Sequence, residues 1–291
     1  MDWYIHHINT PAMDVRRTAN FLRKIVGMID GTWTYPETAG ELHHRDDTIA
    51  YFGSDNRGVH VVKPIPTFAQ DNNLIHNPTV GGHVAITVSD LDAVVSRLKA
   101  ADIPYSDAGT YAMAGVHQIY FYDPSMNVIE INQVVADTGG KPPRPREKHD
   151  IRWEPGDWYI HHVNLPAHDV PQTAAFFRDV VGLEQDEWSY PPGQPVNFRH
   201  DPEHLAVFGD DNRGLHVVKP SADFAYNNGF MHNPTIGGHY AITVRDLDVV
   251  KARLEQAGTL FTEAGIYAMS GVRQIYVFDP EARFVEINQV T

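Results

Sequence analysis

"IHNPTVGGHVAITVSDLDAV" occupies residues 75–94, and "MHNPTIGGHYAITVRDLDVV" occupies residues 231–250. Each copy opens on a turn signal of Asn, Pro and paired Gly. Six residues follow in which Val84, Ile86 and Val88 alternate with His83, Ala85 and Thr87, the period of a half-buried strand. Ser89 and Asp90 then offer caps for an amphipathic helix. A strand feeding a helix is thus spelt twice. The pairing extends outward: "DWYIHHINTPAMDV" (2–15) answers "DWYIHHVNLPAHDV" (157–170), and "SDNRGVHVVKP" (54–64) answers "DDNRGLHVVKP" (210–220). "QIYFYDPSMNVIEINQV" (118–134) answers "QIYVFDPEARFVEINQV" (274–290). The chain is a tandem duplication.

Its 291 residues suit two domains. We place them at 1–137 and 151–291, joined by a Pro-, Gly- and charge-rich linker at 138–150. Within each copy the elements run β-α-β-β-β twice. In the first copy these are a strand at 4–9, a helix from Asp14 to about Val26, and strands near 31–35, 48–53 and 58–63. A strand at 83–88, the second helix, and strands near 104–107, 117–122 and 127–133 complete it. Asp14 and Asp169 are the expected N-caps of the first helices. The fold class is α+β, with tandem βαβββ modules forming cupped mixed sheets. Helices cover one face of each sheet, and the other face is left to enclose something.

Composition narrows the partners. Thirty-seven acidic residues against 23 basic ones give a net charge of -14, which disfavours nucleic acid. There is no cysteine, so disulfides and thiolate metal sites are excluded. The opening "MDWYIHHINTP" lacks the charged and apolar regions of a secretory signal, and no run of 18 apolar residues marks a membrane span. The expectation is a cytoplasmic protein with a small-molecule substrate, no nucleic acid and no membrane; a homodimer is compatible with the sequence. Seventeen histidines are unusual for this length.

Alternation along the strands assigns faces. In "YIHHIN", Ile5, His7 and Asn9 share one face, with His6 and Ile8 opposite. In "HVAITV", His83 turns away from the apolar Val84, Ile86 and Val88. In "NVIEINQ", Glu130 turns away from Ile129 and Ile131. His7, His83 and Glu130 therefore converge on one concavity, as do His162, His239 and Glu286. Two imidazoles and a carboxylate make a facial set for a divalent metal; a satisfied polar core is the alternative from the residues alone. His6 and His161 read as core or surface residues, and His76 and His232 as turn or rim residues. His43, His44 and His200 fall in loops. Asn56 and Gly58 suit a tight hairpin turn beside Arg57. Tyr111 with Met113, and Tyr267 with Met269, read as a lid or as core packing.

The segments "IHHINTPAMDVRRTANFLRKIVGM", "GGHVAITVSDLDAVVSRLKAA" and "YFYDPSMNVIEI", with their counterparts, resemble the vicinal oxygen chelate superfamily. That superfamily includes glyoxalase I, extradiol ring-cleavage dioxygenases and bleomycin- or fosfomycin-resistance proteins. The resemblance covers nearly the whole chain outside the linker. It implies two glyoxalase/dioxygenase-like domains, with His7, His83, Glu130, His162, His239 and Glu286 as ligands of a divalent metal, Fe(II) ahead of Zn, Mn, Ni or Co. It further implies catalytic roles for His60 and His216, as acid–base groups or as fourth ligands. The Tyr–Pro–Glu spacing of Tyr120, Pro124 and Glu130, repeated at Tyr276, Pro280 and Glu286, is similar to the extradiol segment whose Tyr bonds a substrate hydroxyl. The implied activity is an extradiol-type dioxygenase acting on vicinal oxygens; a glyoxalase-, isomerase- or lyase-type metalloenzyme and a small-molecule binding protein are the alternatives. The chain departs from the extradiol pattern in keeping both ligand sets. It also has "SMN" and "EAR" where a glycine follows the Asp-Pro turn, and Tyr111 and Tyr267 stand about where a further histidine is expected.

Overall fold

The computed structural model describes residues 3–33, 47–54, 56–110, 113, 115–134, 158–190, 201–210, 212–266, 269, 271–280 and 282–291. The linker at 138–150, His43, His44, His200, Tyr111 and Tyr267 lie outside these. The chain divides into two compact units: Met1–Ala19, Ile29–Arg152 and Asp179–Leu183 form one, and Asn20–Met28, Trp153–Arg178 and Glu184–Thr291 the other.

The first repeat runs β1 (Trp3–Pro11), α1 (Val15–Phe21, continued as a π-helical turn over Leu22–Val26), β2 (Ile49–Ser54), β3 (Arg57–Val62), α2 (Phe68–Asp71), β4 (His83–Val88), α3 (Leu91–Ala100), β5 (Ser106–Gly109), β6 (Val116–Tyr122) and β7 (Val128–Val134). Its mixed sheet has the order β2-β3-β1-β4-β7-β6-β5. The second repeat runs β8 (Trp158–Pro166), α4 (Val170–Ala175, continued as a π-helical turn over Phe176–Val181), β9 (Gln185–Asp186), β10 (Leu205–Phe208), β11 (Gly214–Val218), α5 (Phe224–Asn227), β12 (His239–Val244), α6 (Leu247–Gln256), β13 (Phe261–Gly265), β14 (Val272–Phe278) and β15 (Phe284–Val290). Its sheet order is β13-β14-β15-β12-β8-β11-β10-β9.

Local chemistry explains these elements. Asp14 and Asp169 accept from the amides of Arg17 and Gln172 at the starts of α1 and α4, and Asp90, not Ser89, caps α3 through Ala93 N. Leu91, Val94 and Leu98 bury one stripe of α3, while Val84, Ile86, Ile129 and Ile131 are buried in β4 and β7. Burying a side chain such as Leu98 contributes roughly 1.5–3 kcal/mol. The expected strand at 31–35 is not formed over residues 31–33; an isolated bridge, Asp30 to Phe52, stands there, and the remaining two positions lie outside the described residues. The strand expected at 104–107 begins two residues later, at Ser106. No described helix is long and apolar enough to cross a membrane.

The largest correction concerns β1. Its antiparallel register on β4 pairs Ile5 with Ile86 and His7 with Ala85, so His6 is an extra residue, a β-bulge. Directly paired residues share a face. Ile5 therefore joins Ile86 on the helix side, not His7 in the concavity, and the bulge returns His6 to the side of His7. Strand β8 repeats the device: His162 pairs with Ala241 and Ile160 with Ile242, leaving His161 extra.

The paired glycines fix how β4 meets β1. Gly82 has φ +75°, and a Cβ there would lie 2.6 Å from Asn9 O and 2.8 Å from Pro11 Cδ. Gly81 has open space around it. Gly82→Ala is expected to cost about 2 kcal/mol, and Gly81→Ala less than about 0.5 kcal/mol. Chemical unfolding of both variants checks this order.

Candidate metal centre

Four neighbouring strands build each site. Strand β1 lies parallel to β3 and antiparallel to β4, and β4 lies parallel to β7. Ala85 faces both His7 and Glu130 across these ladders, which brings the two side chains together from strands flanking β4. His7 Nε2 lies 3.0 Å from His83 Nε2, and Glu130 Oε2 lies 3.5 Å and 3.2 Å from those nitrogens. In the second unit His162 Nε2 and His239 Nε2 are 3.1 Å apart, and Glu286 Oε2 is 3.6 Å from each. All six residues are buried. Among the described residues these are the two clusters able to hold a metal ion.

Each ligand atom is held by its other end. His83 Nδ1 donates to Pro78 O at 2.9 Å, and His239 Nδ1 to Pro234 O at 3.0 Å. In its neutral form each ring thereby presents a bare Nε2. Glu130 Oε1 accepts from Asn132 Nδ2 at 2.7 Å, and Asn132 Oδ1 accepts from Thr87 Oγ1 at 2.5 Å. Glu286, Asn288 and Thr243 repeat the chain at 2.7 and 2.6 Å. Burial, then the neighbouring imidazoles His60, His83 and His6, holds His7 well below the usual histidine range. Burial, then His216, His161 and His239, does the same to His162. Both rings are neutral and can offer lone pairs.

These contacts fit a cation. Glu130 Oε2 is buried and has no hydrogen-bond partner, although two imidazole nitrogens face it. Bare nitrogens and a carboxylate oxygen repel one another unless a positive charge sits among them. Two nitrogens each about 2.1 Å from one ion and at right angles lie about 3.0 Å apart. That is the separation of His7 and His83.

His60 and His216 stand beside the clusters and are not members of them. Their rings stack on His7 and His162, with centroids 4.1 and 4.2 Å away. Each Nε2 donates to a turn carbonyl, Asn56 O or Asn212 O, at 2.9 Å. The duplicated hairpin turn therefore does more than reverse the chain; it sets the tautomer of a buried histidine. Asn56 and Asn212 both take φ 59° there. Burial pushes His216 down to about 3, so it is neutral at ordinary pH. Trp33 and Trp188 stand edge-on to these rings at 4.9 Å.

Tyr120 and Tyr276 pair with Glu130 and Glu286 across β6–β7 and β14–β15. Each hydroxyl donates to a glutamine, Gln118 Oε1 or Gln274 Oε1, at 2.9 Å. In the second unit a cavity of about 50 Å³ lies over the cluster. Asn164, His216, Gln274 and Tyr276 line its polar side, and Trp188, Phe224 and Met269 part of its apolar side. Asn164 Oδ1 and Gln274 Nε2 are buried there without partners. The two repeats differ on the concave face, where Phe284 takes the place of Val128. Its ring lies 5.6 Å from His239 and 5.4 Å from Tyr276.

Other expectations need amendment. His76 and His232 are buried, not on the rim, and their Nδ1 atoms bond Ser106 Oγ at 2.9 Å and Thr262 Oγ1 at 2.7 Å. They clip a loop to a strand. Met113 and Met269 are buried, and Met269 reaches the cavity. His6 and His161 are buried, as a core reading has it, and also touch His7 and His162 directly. Thr87 and Asn132, with Thr243 and Asn288, carry no role in the sequence reading, although they recur identically in both repeats.

The profile of the Glyoxalase/Bleomycin resistance protein/Dioxygenase superfamily matches residues 4–131 and 159–287. The chain belongs to that superfamily. No curated protein is similar enough in sequence to count as a relative. Among solved structures, the Mn(II)-bound glyoxalase from Novosphingobium aromaticivorans is similar at TM-score 0.61 and 15% identity, over 98% of this chain and 81% of that one. A catechol 2,3-dioxygenase is similar at TM-score 0.59 and 15% identity, over 98% and 87%. A homoprotocatechuate 2,3-dioxygenase variant from B. fuscum reaches TM-score 0.63 at 12% identity, over 99% and 71%. At these identities the likeness shows the fold.

Truncating Asn132 leaves Glu130 Oε1 and Thr87 Oγ1 without their partners in a fully buried place. Asn132→Ala is expected to destabilise the metal-free protein by about 2–3 kcal/mol, and Thr87→Val by about 1 kcal/mol. Urea unfolding midpoints rank the two.

Proposed function

We propose that each cluster binds one divalent metal ion, and that the chain is an enzyme acting on a small molecule with two vicinal oxygens, of the extradiol catechol dioxygenase type with Fe(II). The observation that carries this proposal is the orphaned Glu130 Oε2 facing two imidazole nitrogens, in a set of three ligands, not four. His7, His83 and Glu130 hold the first ion, and His162, His239 and Glu286 the second. A bound ion would supply Lewis-acid chemistry suited to a substrate with two adjacent oxygens and to O2.

The chain's own residues supply the rest. Tyr276 donates its proton to Gln274 Oε1, so towards a substrate hydroxyl its oxygen would act as acceptor. His216 has its Nε2–H fixed on Asn212 O, so its proton-accepting atom is Nδ1. Trp188, Phe224 and Met269 give the cavity an apolar side suited to a ring. Asn164 Oδ1 and Gln274 Nε2 remain to meet polar substituents. Tyr120 and His60 hold the same places in the first unit.

A glyoxalase- or isomerase-type reaction is the second proposal, favoured by the similarity to a Mn(II)-bound glyoxalase. It needs the same three ligands and no O2.

Elemental analysis of protein purified anaerobically and reconstituted is expected to give two metal equivalents per chain. Glu130→Gln and Glu286→Gln should each remove about one. Iron-loaded protein should consume O2 with catechols, and Tyr276→Phe should lower kcat by about 10-fold or more in the Glu130→Gln background. Absence of metal after reconstitution overturns the proposal. Metal binding with no O2 uptake, alongside isomerisation of a 2-oxoaldehyde adduct by the Mn(II) form, selects the second.

A further inference from the structure

A metal-binding imidazole must present a bare nitrogen, and the partner of its other nitrogen decides whether it does. For His83 and His239 that partner is a backbone carbonyl, which can only accept. His7 and His162 have a different partner. His7 Nδ1 lies 3.0 Å from His6 Nδ1, and His162 Nδ1 lies 3.0 Å from His161 Nδ1. An imidazole nitrogen can either donate or accept, so each neutral pair has two assignments. In one, His7 carries its proton on Nδ1, gives it to His6 Nδ1, and presents a bare Nε2 to His83 and Glu130. In the other, His6 donates, and His7 turns an N–H toward the cluster. Only the first can accept a cation.

The contact is not an accident of sequence adjacency. Neighbours on a regular strand point to opposite faces. The bulge at His6 and its repeat at His161 bring each pair to one side. Both bulged histidines are buried, at 1% and 2% exposure.

We propose that His6 and His161 are positioning residues, each accepting at Nδ1 the proton of the adjoining histidine and so holding it in the tautomer that can bind a divalent cation. The proposal rests on the clusters being metal sites. Neither His6 nor His161 belongs to a cluster itself.

Long-range proton–nitrogen NMR of the metal-free full-length chain reads the tautomers directly. The expected result is a protonated Nδ1 and bare Nε2 on His7 and His162, with the reverse on His6 and His161. A proton on Nε2 of His7 or His162 overturns the proposal. This measurement decides whether or not the protein ever takes up metal, so it fails separately from the function proposed above. Mn(II) affinity, by competition with a chelating dye in the Glu286→Gln background, gives a second readout. His6→Leu, which fills the space without an acceptor, should weaken binding by about 10–100-fold. His6→Asn, which places an amide oxygen near the lost Nδ1, should restore it to within about threefold. Unchanged affinity in a folded His6→Leu protein overturns the assignment, as does equal loss in both variants. If His6→Leu does not fold, the NMR result stands as the test.

Discussion

Each unit is arranged around three ligand atoms, two imidazole nitrogens and a carboxylate oxygen, held within 3.6 Å of one another. Glu130 Oε2 and the Nε2 atoms of His7 and His83 are buried together, and each is pinned from behind by a fixed hydrogen bond. A flexible loop would relax by turning one side chain away. Strands cannot, because register determines where each side chain emerges. The mixed sheet, the caps and the helix-facing apolar residues together prevent that relaxation. Glu130 Oε2 stays without a hydrogen-bond partner, in a place where a cation would satisfy it.

Much of this was legible in the sequence, and the reason is periodicity. In β4 the alternation of His83, Ala85 and Thr87 with Val84, Ile86 and Val88 is uninterrupted, so the faces followed from counting. The same held for Glu130 between Ile129 and Ile131. Counting failed in β1, because a bulge adds a residue without changing composition. Ile5 was thereby sent to the wrong face and His6 to a bystander's role. His7 survived the error because the bulge lies before it. The only written hint was the doubled "HH", present in both repeats, which cannot be distributed over two faces without making one histidine an anomaly.

Other features were hidden for a different reason: they depend on backbone atoms. Pro78 O and Asn56 O orient His83 and His60, yet a carbonyl is common to every residue and leaves no mark in the sequence. "HNP" and "DNRG" read as turns, and they are turns. What could not be read is that each turn aims one carbonyl at a ring nitrogen four or five residues further on. Duplication is the best available signal for such roles, since it repeats a whole local geometry.

The exchange of Val128 for Phe284 shows where the two copies are free to part. The glutamate lock and the paired histidines are spelt identically in each half, whereas the wall beside them is not. Because both halves belong to one polypeptide, they are always made in equal numbers. A change in the wall of the second half thus leaves the supply of the first untouched. A pair of separate genes would need matched expression to achieve the same insurance.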